Sequence, residues 1–469
     1  VSKQVTTVEQ RWVLALTSIG SVMVALDVLV VAAALTTIRR DLGASIEQLE
    51  WTVNAYSLSF AMLLMTAAAI GDRWGRRRTF AAGLALFTVA SIGCALATSV
   101  PWLIAARTVQ GIGAAAVMPL AMGLLGAAFP PERRGWATGI FSGVTGLAVL
   151  GGPVVGGVVT EGLAWQWIFW INVPVGVLTI PLVLRWIPES RGVARRVDLA
   201  GATLITLAVL GLVWGVVRGE VAGWASLEVI GSMVVGALLL LGFLAWEGRA
   251  REPMVPLGFF RVPAFSAANT ASFFLTAALL GAVFFLAQFM QVVLGSGPLK
   301  AGLQLLPWTA TLFLVAPIAG RLVDRFGERP FVVTGLTLQA VGMSWIALVA
   351  GPGMQYYEFV APLIVAGCGV SMAMPAAQSA AIGSLPRESV GIASGIYGMG
   401  RQVGGVAGVA IAAAVFAAAG GYQSFDGGFT RAMAVCGVLS LAGGLAGLGI
   451  SARRSTDVVV VTGQVEERV

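Results

Sequence analysis

The chain has 469 residues, 58% hydrophobic and 11% charged, with a formal net charge of +7 and a mean hydropathy of +0.89. An ordinary soluble domain carries roughly 25% charged residues, so this chain cannot cover its own surface with polar groups, which excludes a soluble enzyme. The positive balance does not indicate nucleic-acid binding either, because the 29 Lys and Arg residues are scattered between hydrophobic stretches instead of forming one patch or arm.

Apolar runs longer than about 18 residues recur from one end to the other, the mark of helices that cross a bilayer. In chain order the runs predict spans over residues 12–37, 49–70, 79–99, 101–129, 136–160 and 167–186. Two more are expected over 199–217 and 227–246, then six over 265–290, 299–318, 330–349, 359–382, 393–419 and 429–450. The first run is too long for a signal-peptide core of about 7 to 15 residues, and no small-residue cleavage site follows it, so it reads as a retained span. The expected fold is an all-α membrane protein of fourteen transmembrane helices. Its N-terminal six-helix bundle occupies 1–190, an inserted two-helix hairpin with linkers 191–262, a C-terminal six-helix bundle 263–452, and a tail 453–469.

With both termini cytoplasmic, 22 of the 29 basic residues fall on the cytoplasmic side and five on the other, the asymmetry that orients membrane proteins. The remaining two, Arg107 and Arg401, lie inside spans. Cys94, Cys368 and Cys436 sit in apolar runs without metal-ligand spacing, and there is no histidine. Disulfides, zinc chemistry and other cofactors are therefore not expected.

The loop after the second span reads Gly71-Asp72-Arg73-Trp74-Gly75-Arg76-Arg77, and that after the tenth reads Val323-Asp324-Arg325-Phe326-Gly327-Glu328-Arg329. Asp-Arg-aromatic-Gly-x-Arg thus occurs twice, 252 residues apart, and the copies align only if spans nine to eleven correspond to spans one to three. Spans seven and eight are then an insertion between two related halves. Parallel six-span repeats are a transporter architecture with the substrate site near the midplane between them. Solvated anchors would explain the arginines alone; the matching acid and glycine favour latch contacts that change as the halves rock.

Asp27 is the one acid expected deep within a span. A central charge costs about 2.5–3.5 kcal/mol on insertion scales, so it must face the bundle interior, paired or protonated. Arg107 lies about 9 Å, and Asp27 about 15 Å, from the outer ends of their spans at 1.5 Å per residue, close enough for the long side chain to bridge. Movement between a desolvated and a cation-paired setting would make Asp27 a proton carrier; a fixed structural ion pair is the bland alternative. Arg401, about 15 Å along its helix, has no acid on neighbouring spans and either meets substrate or carbonyls across a cavity or holds an unwound stretch. The fifth span carries Gly151-Gly152-Pro153-Val154-Val155-Gly156-Gly157, small residues that admit another backbone closely and a proline that permits bending. Asn54, Tyr56, Gln288, Gln291, Trp308, Tyr397 and Arg401 are candidate cavity groups, though interhelical hydrogen bonding would explain most of the polar ones equally well.

With these residues in place the chain resembles the major facilitator superfamily over nearly its whole length. It is most similar to the fourteen-helix drug:proton antiporters. Leu26-Asp27-Val28-Leu29-Val30-Val31 resembles their first-helix signature, Gly152-Pro153-Val154-Val155-Gly156-Gly157 the fifth-helix antiporter signature, and Trp167-Ile168-Phe169-Trp170-Ile171-Asn172-Val173-Pro174 the opening of the sixth helix. The resemblance implies Asp27 in proton coupling with Arg107 as partner. It implies Asp72 and its arginines in a cytoplasmic gate, and Gly152, Pro153 and Gly156 in a hinge. One departure is Ala68, where the family opens its loop motif with glycine; Gly320 has it in the second copy, so looser packing is expected at the first.

The expected activity is proton-coupled export of small amphipathic compounds from a bacterial plasma (inner) membrane by a monomer, with small molecule, proton and lipid bilayer as partners. The second half lacks an embedded acid, which points to neutral, zwitterionic or singly charged substrates. Export of an endogenous lipid, siderophore or secondary metabolite is the alternative on the same fold. A non-transporting receptor or scaffold is the alternative of another class, and the buried charges speak against it.

Overall fold

The computed structural model describes residues 7–192, 198–250, 253–351, 353–386 and 389–451; the expected tail over 453–469 and the side chains of Pro153 and Asp324 lie outside the described set. The first half comprises α1 (Thr7–Leu42), α2 (Ile46–Trp74), α3 (Arg76–Ala95), α4 (Val100–Ala128), α5 (Pro131–Gly162), α6 (Trp167–Trp170) and α7 (Asn172–Trp186). Then come α8 (Leu199–Ala222) and α9 (Leu227–Glu247). The second half comprises α10 (Pro263–Val292), α11 (Pro298–Gln304), α12 (Leu306–Thr309), α13 (Thr311–Phe326), α14 (Glu328–Val349), α15 (Tyr357–Gly383), α16 (Val390–Ala418) and α17 (Phe425–Gly447). Among the described residues, 13 helical stretches are long and apolar enough to cross a membrane. The fourteenth expected span corresponds to α5, a continuous helix of 32 residues, several of whose side chains lie outside the described set.

Local chemistry sets the ends. Ser45 caps α2 through a reciprocal box: its Oγ accepts from Gln48 N at 3.2 Å while Gln48 Oε1 accepts from Ser45 N at 3.0 Å. The helix therefore starts earlier than its apolar run. Proline occupies the first turn of α4, α5, α10 and α11, where its missing donor costs nothing. The expected sixth and tenth spans are segmented: α6 gives way to α7 at Ile171, and α11, α12 and α13 meet at Leu305 and Ala310. Pro307, which has no N–H to give, opens α12.

Small residues bring helices together. A Cβ on Gly113 of α4 would lie 2.6 Å from Phe87 N of α3, and one on Gly369 of α15 would lie 2.4 Å from Gln339 N of α14. These pairs therefore pack backbone to backbone. One apolar cluster fills the first half around Leu84, Val117 and Val183, and another joins α2 and α8 to the second half around Met62, Val213, Leu275 and Ala377. A third spans both halves, with Leu35 and Leu49 of the first meeting Phe285, Phe289 and Phe416 of the second.

That shared cluster seals the face bearing the α1–α2 turn. Polar ties reinforce it: Thr36 donates to Gln291, Gln291 Nε2 donates to Ala33 O at 3.1 Å, and Leu299 N donates to Glu161 Oε2 at 2.9 Å. The Arg39 guanidinium lies 3.4 Å from the Tyr422 ring centroid. At the opposite face, which bears the α2–α3 and α13–α14 turns, no hydrogen bond joins the halves among the described residues. Helix α8 stands beside α2 and α16, and α9 packs on α8. They are tied to α2 by the Trp51–Trp214 ring contact at 5.6 Å and by Arg218, which reaches Glu47 at 3.2 Å and Glu228 at 2.8 Å.

Candidate functional site

Asp27, at the middle of α1, is 1% exposed, and Arg107 of α4 is likewise 1% exposed. Arg107 Nη1 donates to Asp27 Oδ2 in a direct ion pair. The other carboxylate oxygen accepts from Gln110 Nε2 at 2.9 Å and from Asn172 Nδ2 at 3.1 Å. Gln110 stands one turn from Arg107 on the same face of α4, and its Oε1 accepts from Arg107 Nη1 at 2.6 Å. Ser91 of α3 closes the ring by accepting from Gln110 Nε2 at 2.9 Å. The guanidinium has further support: Nε donates to Thr52 O at 3.2 Å, and the Tyr56 ring lies 4.2 Å from its carbon.

This constellation draws on α1, α2, α3, α4 and α7, all in the first half, and each member is buried. Each side-chain donor to Asp27 is spoken for, as a buried carboxylate requires. The expected Asp27–Arg107 pairing is what the structure contains. Gln110, Ser91 and Asn172 were not singled out, although Asn172 is the lone amide of its span and Gln110 sits three residues from Arg107.

The loop at Asp72 is bound within its own half. Arg76 Nε donates to Asp72 Oδ1 at 2.6 Å and its Nη1 to Gly123 O at 3.0 Å. Arg77 N donates to Glu189 Oε1 at 2.9 Å, and its Nη1 donates to Ile187 O at 3.2 Å. Glu189, not anticipated from the sequence, thus anchors the loop to the end of α7, and Arg78 lies 3.7 Å from it as well. Arg73 is exposed. Gly75 has φ 121° and Gly327 φ 82°, a region that glycine alone enters cheaply, which accounts for glycine at this place in both copies. In the second copy Arg325 is exposed, with its guanidinium 5.4 Å from the Phe326 ring, Arg329 is half-buried, and Glu328 accepts from Ser379 Oγ at 3.1 Å. A Cβ at Gly320 would meet nothing within 4 Å, so Ala68 in the equivalent place brings no clash by analogy.

On α5, a Cβ at Gly152 would lie 2.6 Å from Leu29 Cβ, and one at Gly156 3.0 Å from Val30 O, so both admit α1. Gly157 admits the other half, with Leu299 Cα and Pro298 O at 2.5 Å, whereas Gly151 faces open space. The glycines therefore serve two faces of one helix.

The cavity candidates separate into groups. Tyr56 belongs to the Arg107 constellation, its hydroxyl donating to Val24 O at 3.4 Å. Gln288, which accepts from the Tyr422 hydroxyl, and Gln291 belong to the seal, and Trp308 packs into the shared apolar cluster. Tyr397 is buried and donates to Met374 O at 3.3 Å. Asn54 is buried with neither amide atom partnered. Arg401 lies in an unbroken α16, which removes the unwound-stretch alternative. Asp27 is not the only buried acid: Glu50, one turn inside α2 and so near the end of its span, is 4% exposed with Oε2 unpartnered.

The chain resembles known proteins throughout. It is 35% identical over 399 residues to the tetracenomycin C resistance and export protein of Streptomyces glaucescens, covering 84% of this chain and 73% of that one. It is 34% identical to a multidrug resistance protein of Mycobacterium tuberculosis, covering 86% and 75%. It is 31% identical to a methylenomycin A resistance protein of Streptomyces coelicolor, covering 92% and 91%. A crystal structure of a POT family transporter in complex with a thioalcohol conjugated peptide shares the fold, with a TM-score of 0.70 at 14% identity over 92% of this chain and 94% of that one. The family model of the Major Facilitator Superfamily matches residues 17–306 and 268–464, and the chain belongs to that superfamily of membrane transporters.

Proposed function

We propose that the protein is a proton-coupled exporter of small amphipathic compounds, working by alternating access in a bacterial plasma membrane with both termini cytoplasmic. The observation that carries this reading is the Asp27–Arg107 pair, a buried charge set inside one of two halves whose polar ties to each other lie at the face bearing the α1–α2 turn. A scaffold gains nothing from burying such charges, which are costly in a span. The names of the relatives support export of antibiotic-like molecules.

With termini inside, the sealed face is the outer one, and the form described is inward-facing. Its three donors suit an ionised carboxylate, the state after proton release. Rocking of the halves opens the outer seal and lets water reach Asp27, which then takes a proton. Arg107 keeps the Thr52 carbonyl, the Gln110 amide oxygen and the Tyr56 ring, so it is not stranded when the carboxylate loses its charge. Return to the inward form restores the pair and expels the proton to the cytoplasm. The electrical gradient adds about 2.3 kcal/mol per charge per 100 mV. Both halves lie in one chain, so a complete pathway needs no second copy.

The test is dye flux into or out of proteoliposomes under an imposed pH gradient, using a panel of amphipathic dyes. Driven flux by the unaltered protein and none by Asp27→Asn is expected. Equal driven flux in both would remove Asp27 from the coupling, and no driven flux of any dye would turn the reading toward a lipid or metabolite substrate.

A further inference from the structure

Arg401 stands eleven residues into α16, about 16 Å along the helix at 1.5 Å per residue. It donates no hydrogen bond to any described residue. Its Nε is buried without a partner, and its one described contact is the Tyr397 ring at 5.9 Å. Among the described residues no carboxylate is paired with it. Of the helices packed on α16, α10 carries no charged residue, and the charges of α2, α8, α15 and α17 lie within two turns of a helix end.

A guanidinium in mid-span cannot face hydrocarbon cheaply and so faces the bundle interior or water. Its terminal nitrogens have no protein partner yet do not number among the buried unpartnered atoms, so they reach open space. A Cβ at the neighbouring Gly400 would likewise meet nothing within 4 Å. Gly398, one turn earlier, lies against Leu64 of α2 in the other half, which puts this part of α16 at the junction of the halves. The site is therefore a positive charge with unused donors at the contact between the halves, where α16 also meets the flexible apolar side chain of Met65 at Gly395.

We infer that Arg401 is an anion-binding point of the substrate cleft, taking the carboxylate of an acidic or zwitterionic amphipath whose apolar body lies along α2 and α16. Guanidinium matches carboxylate with two parallel N–H donors, and a low-dielectric wall strengthens the pairing. The inference rests on the exporter reading, and it narrows the substrate class to compounds bearing an acidic group.

The test uses 1-pyrenebutyrate and its methyl ester, a pair differing in charge alone, bound to the full chain in phosphatidylcholine nanodiscs without any gradient. Arg401→Gln is expected to weaken pyrenebutyrate binding by roughly tenfold or more while leaving the ester within about twofold, and Arg401→Lys to recover part of the loss. Equal weakening of acid and ester would make Arg401 a structural residue, and no change in either would remove it from the site; both outcomes overturn the inference. Failure of gradient-driven flux in liposomes would instead strike the exporter reading and leave the acid-against-ester contrast as a separate result.

Discussion

Arg107 and Arg401 are guanidinium groups inside spanning helices of opposite halves, and their surroundings differ in nearly every respect. Arg107 has a carboxylate, a side-chain amide, a backbone carbonyl and an aromatic face. Arg401 has one ring at 5.9 Å. The first half thus contains its own counter-charge and closes around it, whereas the second presents charge without an answer. The Asp-Arg-aromatic-Gly loop occurs in both halves, yet the charges buried within them are arranged differently. One half holds a neutralised pair, the one the proposed cycle would break by protonation, and the other holds a cation with unused donors.

The contrast can be broken most decisively at Asp27. Asp27→Asn is expected to reduce pH-driven flux in proteoliposomes to background while dye binding persists. The next largest effect is on stability. Arg107→Gln strands a buried carboxylate and should cost about 3–5 kcal/mol, read as a fall in melting temperature in detergent. Adding Asp27→Asn should restore most of that loss. Arg401→Gln in the same assay should cost about 1 kcal/mol or less, the scale of a cation–π contact; matching losses at the two arginines would erase the distinction drawn between them.

The two loops sharpen it further. Gly75→Ala forces a side chain into positive φ and sets its Cβ 2.7 Å from Glu189 Cδ, so a loss of about 1–3 kcal/mol is expected. Gly320→Ala, in open space, should leave the melting temperature unchanged. The smallest effect concerns Asn172→Ala, which removes one of the three donors to Asp27. About 1 kcal/mol, or roughly fivefold in driven flux, is the expected loss, and a larger effect than that of Arg107→Gln on flux would place the controlling contact on α7 instead of α4.

Much of the architecture was legible because its cause is written residue by residue. Spanning helices need long apolar runs, and a charge within such a run is costly enough that Asp27 and Arg107 stood out at once. The neutral partners did not, since Gln110, Ser91 and Asn172 look like any polar residue in a span until packing shows which way they face. Glu50 was missed for a different reason. The apolar run in the sequence begins at residue 49, but the Ser45–Gln48 box starts α2 at Ile46 and carries Glu50 a full turn inside. Gln288 and Gln291 were read as cavity groups and lie in the seal, because nothing in a glutamine's neighbours along the chain tells which face of the protein its level in the bilayer will meet. Glu189 escaped notice because its partners, Arg77 and Arg78, are more than a hundred residues away.

The burial of Asp27 has a consequence for the idle membrane. A carboxylate at 1% exposure, with its oxygens already occupied by Arg107, Gln110 and Asn172, is screened from bulk solvent by the protein itself. Under the proposed coupling this form is expected to pass no uncoupled hydrogen ions, and a proton leak through liposomes that contain the protein without substrate would contradict it.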